Sequence, residues 1–292
     1  MANATWDKFE AVARSQSDTT AVFAVDRVVS FGELLAASHT LAAGMKVTTG
    51  ARVLICASNA PEIGACVAAI WFRGAIPVMI DAESPDTHIA HAVETATPEL
   101  VVTDRDLPDL GDVAILQLGA FAATEGPKAF DPSGVGAIAL TDPASIIFTS
   151  GSTGKPKGVT QSAGNLLSGV ERVSAMLGYK SSDRILCAVP FSFDYGWGQL
   201  LSLLLGGVPL VLPSPRNAFG LCAAIENHAP TVFAGVPAAF TDLVSGLSPI
   251  RSTDRASVRL ITNTGSKIPE RTFAELLELF PEAEISLNYG LT

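Results

Sequence analysis

The sequence is short of charge, and of positive charge above all. Charged residues fill 16% of its 292 positions, and 19 Lys and Arg against 29 Asp and Glu leave a formal charge of −10. Binding a phosphate backbone takes clustered Lys and Arg. The densest basic cluster is Lys155 with Lys157, so a nucleic-acid surface is excluded and any anion must be held locally. Cysteine is equally scarce: Cys56, Cys66, Cys187 and Cys222 stand far apart, with no C-x-x-C pair and no adjacent His. That pattern reads as reduced core thiols rather than a metal or redox centre, and no metal ligands are assigned. The first residues, MANATWDKFE, have neither a basic start nor an apolar run, and the most apolar stretches are broken by Arg73 or by Gly206, Gly207 and Pro209. No signal peptide or membrane span is expected, and the reading is a cytoplasmic protein without a membrane partner.

What is plentiful is hydrophobicity, at 48% of residues. That surplus implies much buried sheet, or a surface normally covered by something else. Apolar strand patterns alternate with amphipathic helix patterns throughout, which is an α/β signature. Ala21 to Val25 and Arg27 to Ser30 read as a hairpin, and Ser30 with Glu33 forms a capping box for a helix running to Gly44. Strands are expected at Arg52 to Ala57, Ile76 to Ile80, Leu100 to Thr103, Asp183 to Val189, Pro209 to Leu212, Val232 to Gly235 and Leu260 to Thr262. Helices are expected from Pro61 to Phe72, Thr87 to Thr95, Asn165 to Leu177, Gln199 to Leu205 and Gly220 to His228, and from near Pro237 and Pro269. Between Leu107 and Pro143 the pattern is diluted by Pro, Gly and Asp, with one apolar stretch at Val113 to Leu118. A boundary there gives two interlocked subdomains, 1–140 and 141–292, with mostly parallel sheets covered by helices on both faces.

The most informative segment is Ile146 to Val159, IIFTSGSTGKPKGV. An apolar strand runs into a tight Ser/Thr/Gly loop and returns at Gly158. Gly151 and Gly154 allow backbone N–H groups to turn inward as an anion nest. The hydroxyls of Thr149, Ser150, Ser152 and Thr153 add donors, and Lys155 and Lys157 add charge. A P-loop of the G-x-x-x-x-G-K-[ST] type does not fit, because Pro156 follows Lys155 where Ser or Thr and a helix start are required. A plain flexible surface loop would account for the glycines but not for two lysines set around a proline.

Phe148 to Gly158 matches at every position the segment [YF]-T-S-G-[ST]-T-G-x-P-K-G. The chain therefore resembles the adenylate-forming superfamily: acyl-CoA synthetases, adenylation domains of nonribosomal peptide synthetases and luciferase. Ser30-Phe31-Gly32-Glu33-Leu34 and the region Leu260 to Thr292 extend the likeness over nearly the whole chain. The resemblance implies the large N-terminal domain of such enzymes and a reaction that activates a carboxylic acid with ATP and magnesium as acyl-AMP. Transfer to CoA or to a carrier-protein phosphopantetheine thiol follows. It makes Thr149, Lys157 and Thr292 the catalytic contacts and Thr149 to Lys157 the phosphate cradle. Gly265, Ser266, Lys267, Tyr289 and Gly290 become the adenine slot, with Thr292 at the α-phosphate. On the acyl side it places Phe193, Asp194, Tyr195, Trp197 and Gly235.

Asp194 has two readings: the partner of a substrate amine, giving an amino or β-amino acid substrate, or a cap on the following helix. The family's pattern continues with a magnesium-binding Glu, a ribose-binding Asp, a hinge and a small lid domain carrying a Lys, whereas the sequence stops at Thr292. The expectation is thus a fragment, a designed truncation or half of a split enzyme with a separate C-terminal portion. Alone it would be weakly active or inactive, or serve as a non-catalytic ATP- or acid-binding module.

Overall fold

The computed structural model describes residues 2–120, 134–149 and 156–290. The phosphate-loop positions Ser150, Gly151, Ser152, Thr153, Gly154 and Lys155, and the terminal Thr292, lie outside the described residues.

Two sheets organise the rest. The strands are β1 (Thr20–Phe23), β2 (Val28–Ser30), β3 (Arg52–Cys56), β4 (Ile76–Ile80), β5 (Leu100–Thr103), β6 (Ala114–Gln117), β7 (Pro143–Thr149), β8 (Lys157–Ser162), β9 (Ile185–Cys187), β10 (Leu210–Val211), β11 (Val232–Gly235), β12 (Leu260–Asn263) and β13 (Glu284–Leu287). Seven form one sheet in the order β13-β12-β11-β9-β10-β1-β2, and six form the other in the order β6-β5-β3-β4-β7-β8. Each is parallel except for its last pair, β1–β2 and β7–β8, which are antiparallel. The sheets exchange strands across residue 140: β1 and β2 join the downstream sheet, and β7 and β8 join the upstream one. The change of sheet therefore does not coincide with residue 140.

The helices are α1 (Ala4–Ser15), α2 (Phe31–Gly44), α3 (Pro61–Phe72), α4 (Asp86–Ala96), α5 (Ala163–Leu177), α6 (Asp194–Leu204), α7 (Ala218–His228), α8 (Pro237–Leu243) and α9 (Glu270–Leu279). Alternation along β3 sends Val53 and Ile55 into one apolar cluster and Leu54 and Cys56 into another. The first cluster also holds Val22, Ile185, Leu210 and Ala234 of the seven-stranded sheet and the inner faces of α1, α2, α3, α5 and α6. These helices thus form a layer shared by both sheets, with α4 on the far side of one sheet and α7, α8 and α9 on the far side of the other.

At the centre of the shared layer lies α3, buried at every residue but Glu62. A helix apolar all round can be satisfied only between two packed surfaces. Trp71 anchors it, donating from Nε1 to the Ala144 carbonyl at 2.8 Å. The capping box on α2 is present: Ser30 Oγ accepts from the Glu33 N–H at 3.1 Å, and the Glu33 carboxylate accepts from the Ser30 N–H at 2.7 Å, a cap that contributes about 1 kcal/mol.

Three elements depart from expectation. Helix α1 and the edge strand β13 were not assigned from the sequence. Helix α6 begins at Asp194 rather than Gln199, because Gly196 and Gly198 weaken helix propensity locally while tertiary packing requires one of them. A Cβ on Gly196 would lie 1.9 Å from the Pro190 carbonyl oxygen, so that turn closes only over glycine.

Candidate functional site

Parallel strands deliver their loops to the carboxyl edge of a sheet, where ligands of open α/β folds collect. Here β12 ends at Asn263 and β13 at Leu287, and their following loops are joined by the Asn288 N–H, which donates to the Asn263 carbonyl at 2.8 Å. A cavity of about 640 Å³ opens on this edge, lined by Asn263, Gly265, Ser266, Lys267, Asn288, Tyr289 and Gly290 and walled by Phe273 and Leu277 of α9. It brings together every expected adenine-side residue among those described. Gly265 is at φ 87°, a left-handed conformation that suits glycine, and an added Cβ there would meet only Val236. The Asn263 amide holds the loop by donating to the Ser266 carbonyl at 2.9 Å. Tyr289 is 94% exposed, so its ring has nothing stacked on it. Lys267 pairs with Glu270 at 3.3 Å on the surface.

A second cavity of about 340 Å³ lies between α5 and α6, lined by Asp194, Tyr195, Trp197, Gly198 and Gln199 on one side and by Leu166, Val170, Val173 and Met176 on the other. The two cavities share a wall, because Asn288, Tyr289 and Gly290 line both. Three of the expected acyl-side residues, Asp194, Tyr195 and Trp197, therefore line this cavity. Phe193 and Gly235 line neither cavity: Phe193 is 52% exposed, and a Cβ on Gly235 would press against the Phe240 ring at 2.8 Å. At the loop that binds phosphate in the sequence reading, Thr149 and Lys157 face each other across the β7–β8 hairpin, and Thr149 Oγ1 donates to the Lys157 carbonyl at 3.5 Å.

Residues 9–292 match the family described as AMP-binding enzyme. The chain belongs to the AMP-binding enzyme family. Among its relatives are tyrocidine synthase 3 of Brevibacillus parabrevis, 27% identical over 97% of this chain and 4% of that protein, and anthranilate–CoA ligase of Pseudomonas aeruginosa, 32% identical over 77% of this chain and 46% of that one. The chain thus spans less than half the length of either. The solved structure of VinN with L-aspartate superposes with a TM-score of 0.85 at 24% identity, covering 99% of this chain and 76% of that one, a likeness of fold. In this member of the AMP-binding enzyme family the two cavities occupy the sheet's carboxyl edge.

The electrostatics of this second cavity centre on Asp194. It opens α6 at the first helical position, directly after the N-cap Phe193, where the helix dipole favours a carboxylate. Burial pushes its pKa above the ordinary carboxylate range. Among the described residues it has no ion-pair or hydrogen-bond partner. The Tyr195 hydroxyl shares a hydrogen bond with the Thr262 hydroxyl, and burial raises its pKa beyond that of a free phenol. Asn59, at the opposite sheet, donates to the Val189 carbonyl at 2.9 Å and accepts from the Phe191 N–H at 2.8 Å. It therefore ties the segment before α6 to the six-stranded sheet.

Sequence reasoning missed Asn288, Thr264 and the α5 wall. The spacing of Leu166, Val170, Val173 and Leu177 was visible as a helical stripe, but a stripe does not say whether it meets a core or a cavity. Among the described residues no group of three or more His, Cys, Asp or Glu could hold a metal, and no helix is long and apolar enough to cross a membrane.

Proposed function

We propose that the chain carries the acid-activating site of a ligase that forms acyl-AMP from a carboxylic acid and ATP, the acyl group then passing to a CoA or carrier-protein thiol. The observation that carries this reading is the shared wall at Asn288, Tyr289 and Gly290 between the two cavities. With adenine against Gly265, Ser266 and the Tyr289 ring, and the acid against Asp194, Tyr195 and Trp197, the reacting carboxylate and α-phosphate meet at that wall. A carboxylate oxygen bonds to the α-phosphorus as the bond to the bridging oxygen breaks, and pyrophosphate leaves. No protein nucleophile is required. The protein's task is to hold the two reactants in line and to offset charge on the phosphate oxygens. Thr149, Lys157 and the stretch between them are assigned to the departing phosphates, and Thr292 to the α-phosphate. Magnesium has no protein cage among the described residues and would be held chiefly by the phosphates.

The partnerless Asp194 carboxylate supports an amino or β-amino acid, whose ammonium would supply the missing cation. Anthranilate, in the name of one relative, and L-aspartate, in the VinN structure, both carry an amine near a carboxylate. ATP–pyrophosphate exchange over a panel of amino, β-amino, aryl and fatty acids tests the reading. Exchange stimulated by amine-bearing acids is the expected result. Nucleotide or acid binding without exchange for any acid would instead assign this chain a non-catalytic binding role.

A further inference from the structure

Helix α4 lies on the outer face of the six-stranded sheet. Ile89, Ala92 and Ala96, at i, i+3 and i+7, fix it there by joining Leu54 of β3 and Val78 of β4 in one apolar cluster. Ile146 and Phe148 of β7 pack against the same cluster, and α4 also touches β8. Beside the buried stripe stands His91, whose Nε2 lies 3.2 Å from the carbonyl oxygen of Pro156, a residue 65 positions further along the chain. A carbonyl oxygen can only accept, so this contact places the ring proton on Nε2. The Thr95 hydroxyl, one turn along α4, is a more distant neighbour of the same nitrogen at 3.4 Å.

Pro156 directly precedes β8, whose first residue, Lys157, is paired with Thr149 across the hairpin. Strand β8 is the edge of its sheet, with β7 as its one neighbour, and the end of an edge strand opens easily unless something else holds it. Proline brings no N–H, so the carbonyl is the one backbone group by which Pro156 can be tied down. His91 takes that carbonyl from a separate element of the fold. Peptide planarity carries the restraint one residue on: with the Pro156 carbonyl fixed, the direction of the Lys157 N–H is fixed as well. The exposed Lys157 side chain thus starts from an anchored backbone.

Building on the acid-activation reading, in which Lys157 serves the departing phosphates, we propose that His91 is a positioning residue for the β- and γ-phosphates of the nucleotide. By donating to the Pro156 carbonyl it holds the start of β8, and with it Lys157, where the triphosphate is received. Its action runs through the backbone of Pro156 and Lys157.

The test compares ATP with AMP, which lacks those two phosphates. Binding of each is measured by titration calorimetry for the wild type, His91→Ala, His91→Gln and His88→Ala, together with ATP–pyrophosphate exchange. His91→Ala should weaken ATP binding by roughly threefold to tenfold, the range of one lost hydrogen bond, while AMP binding stays within about twofold. In exchange, the KM for ATP should rise and the KM for the acid should not. His91→Gln, whose amide N–H reaches about as far as Nε2, should recover most of the ATP affinity. His88→Ala removes an exposed histidine from the same helix and should change neither ligand. Equal losses for ATP and AMP would mean general damage to the fold and overturn the inference. So would an ATP affinity unmoved by His91→Ala, or one lost alike in His91→Ala and His91→Gln. The expected ATP pattern without exchange for any acid would remove the acid-activation reading and keep the role of His91, whereas a chain that binds no ATP removes both.

Discussion

Asp183 lies just before β9 and Asp194 opens α6, the helix that follows it, and their surroundings are opposite in kind. Asp183, at the amino edge of the sheet, is 1% exposed and saturated. It accepts from the Lys180 N–H at 2.7 Å, the Thr231 hydroxyl at 2.7 Å and Arg259 Nε at 2.9 Å, with a second bond from Arg259 Nη2. These contacts stitch together the starts of β9, β11 and β12. Burial pushes the Asp183 pKa up, but the bonds from Arg259, Lys180 and Thr231 outweigh it and hold the carboxyl below its ordinary value. At the carboxyl edge Asp194 has burial without compensation, and its pKa is raised. The Asp183 cluster completes its polar pairings within the fold; toward the carboxyl edge Asp194 has no partner, and the Trp197 indole N–H and the side-chain carbonyls of Gln199 and Asn263 are buried without one. A protein tolerates such unpaired groups where a ligand supplies the partner.

The sharpest way to break this contrast is to remove its saturated member. Asp183→Ala leaves Arg259 and Thr231 without their shared acceptor and should lower unfolding free energy by roughly 2–3 kcal/mol in chemical denaturation. Because the folded pKa of Asp183 is depressed, its contribution is present above the ordinary aspartate value of 3.8 and is lost as pH falls through the lower folded value. Wild type should therefore lose more stability than Asp183→Ala when acidified below about pH 4.

Asp194→Asn should behave in the opposite sense. With its folded pKa raised, ionisation of Asp194 opposes folding once pH exceeds the ordinary value, so the variant should be at least as stable as wild type near neutrality by thermal melting. Its apparent affinity for an amine-bearing acid should nevertheless fall by about 10- to 100-fold, as expected when a buried cation loses its counter-charge. An unchanged KM for amino acids would remove the amine from the substrate reading.

Tyr289→Ala tests the shared wall. Its ring touches solvent, so the melting point should hardly move, but nucleotide affinity by titration calorimetry should drop by about tenfold if the ring stacks on adenine. Smallest of all, Lys267→Ala breaks a surface ion pair with Glu270 in which both side chains are over 80% exposed. Stability should change by less than about 0.5 kcal/mol. A larger loss would mean that the adenine-side loop depends on that pair for its shape.

Much of this was legible in the chain itself, for local reasons. The capping box at Ser30 and Glu33, the Pro61 start of α3, the glycine at 178 that closes α5, and the β7–β8 return around the Ser/Thr/Gly loop are set by neighbours a few residues apart. Periodicity placed β3, β4, β5, β11 and β12 within a residue or so. The motif at Phe148 to Gly158 was enough to indicate the family. Helix α1 was legible but unassigned: Asn3 accepts from the Trp6 N–H at 3.0 Å as an N-cap, and Trp6, Phe9 and Ala13 form a buried helical stripe. Strand β13 escaped because an edge strand with the burial pattern exposed, intermediate, intermediate, exposed lacks clear alternation.

By itself, then, the sequence determined the family and the alternation of strands and helices, and it named candidate residues for phosphate, adenine and acid, because motifs and caps act over short spans. Only the tertiary structure decided how those residues share space. The sheets trade strands across residue 140, so segments more than a hundred residues apart, such as Asn59 with Phe191, are joined by hydrogen bonds. The same packing set Gly235 against Phe240, away from the two cavities, and left Gln199 buried beside open space. Whether a polar side chain finds its partner inside the fold depends on what the rest of the chain brings against it, and no local pattern encodes that.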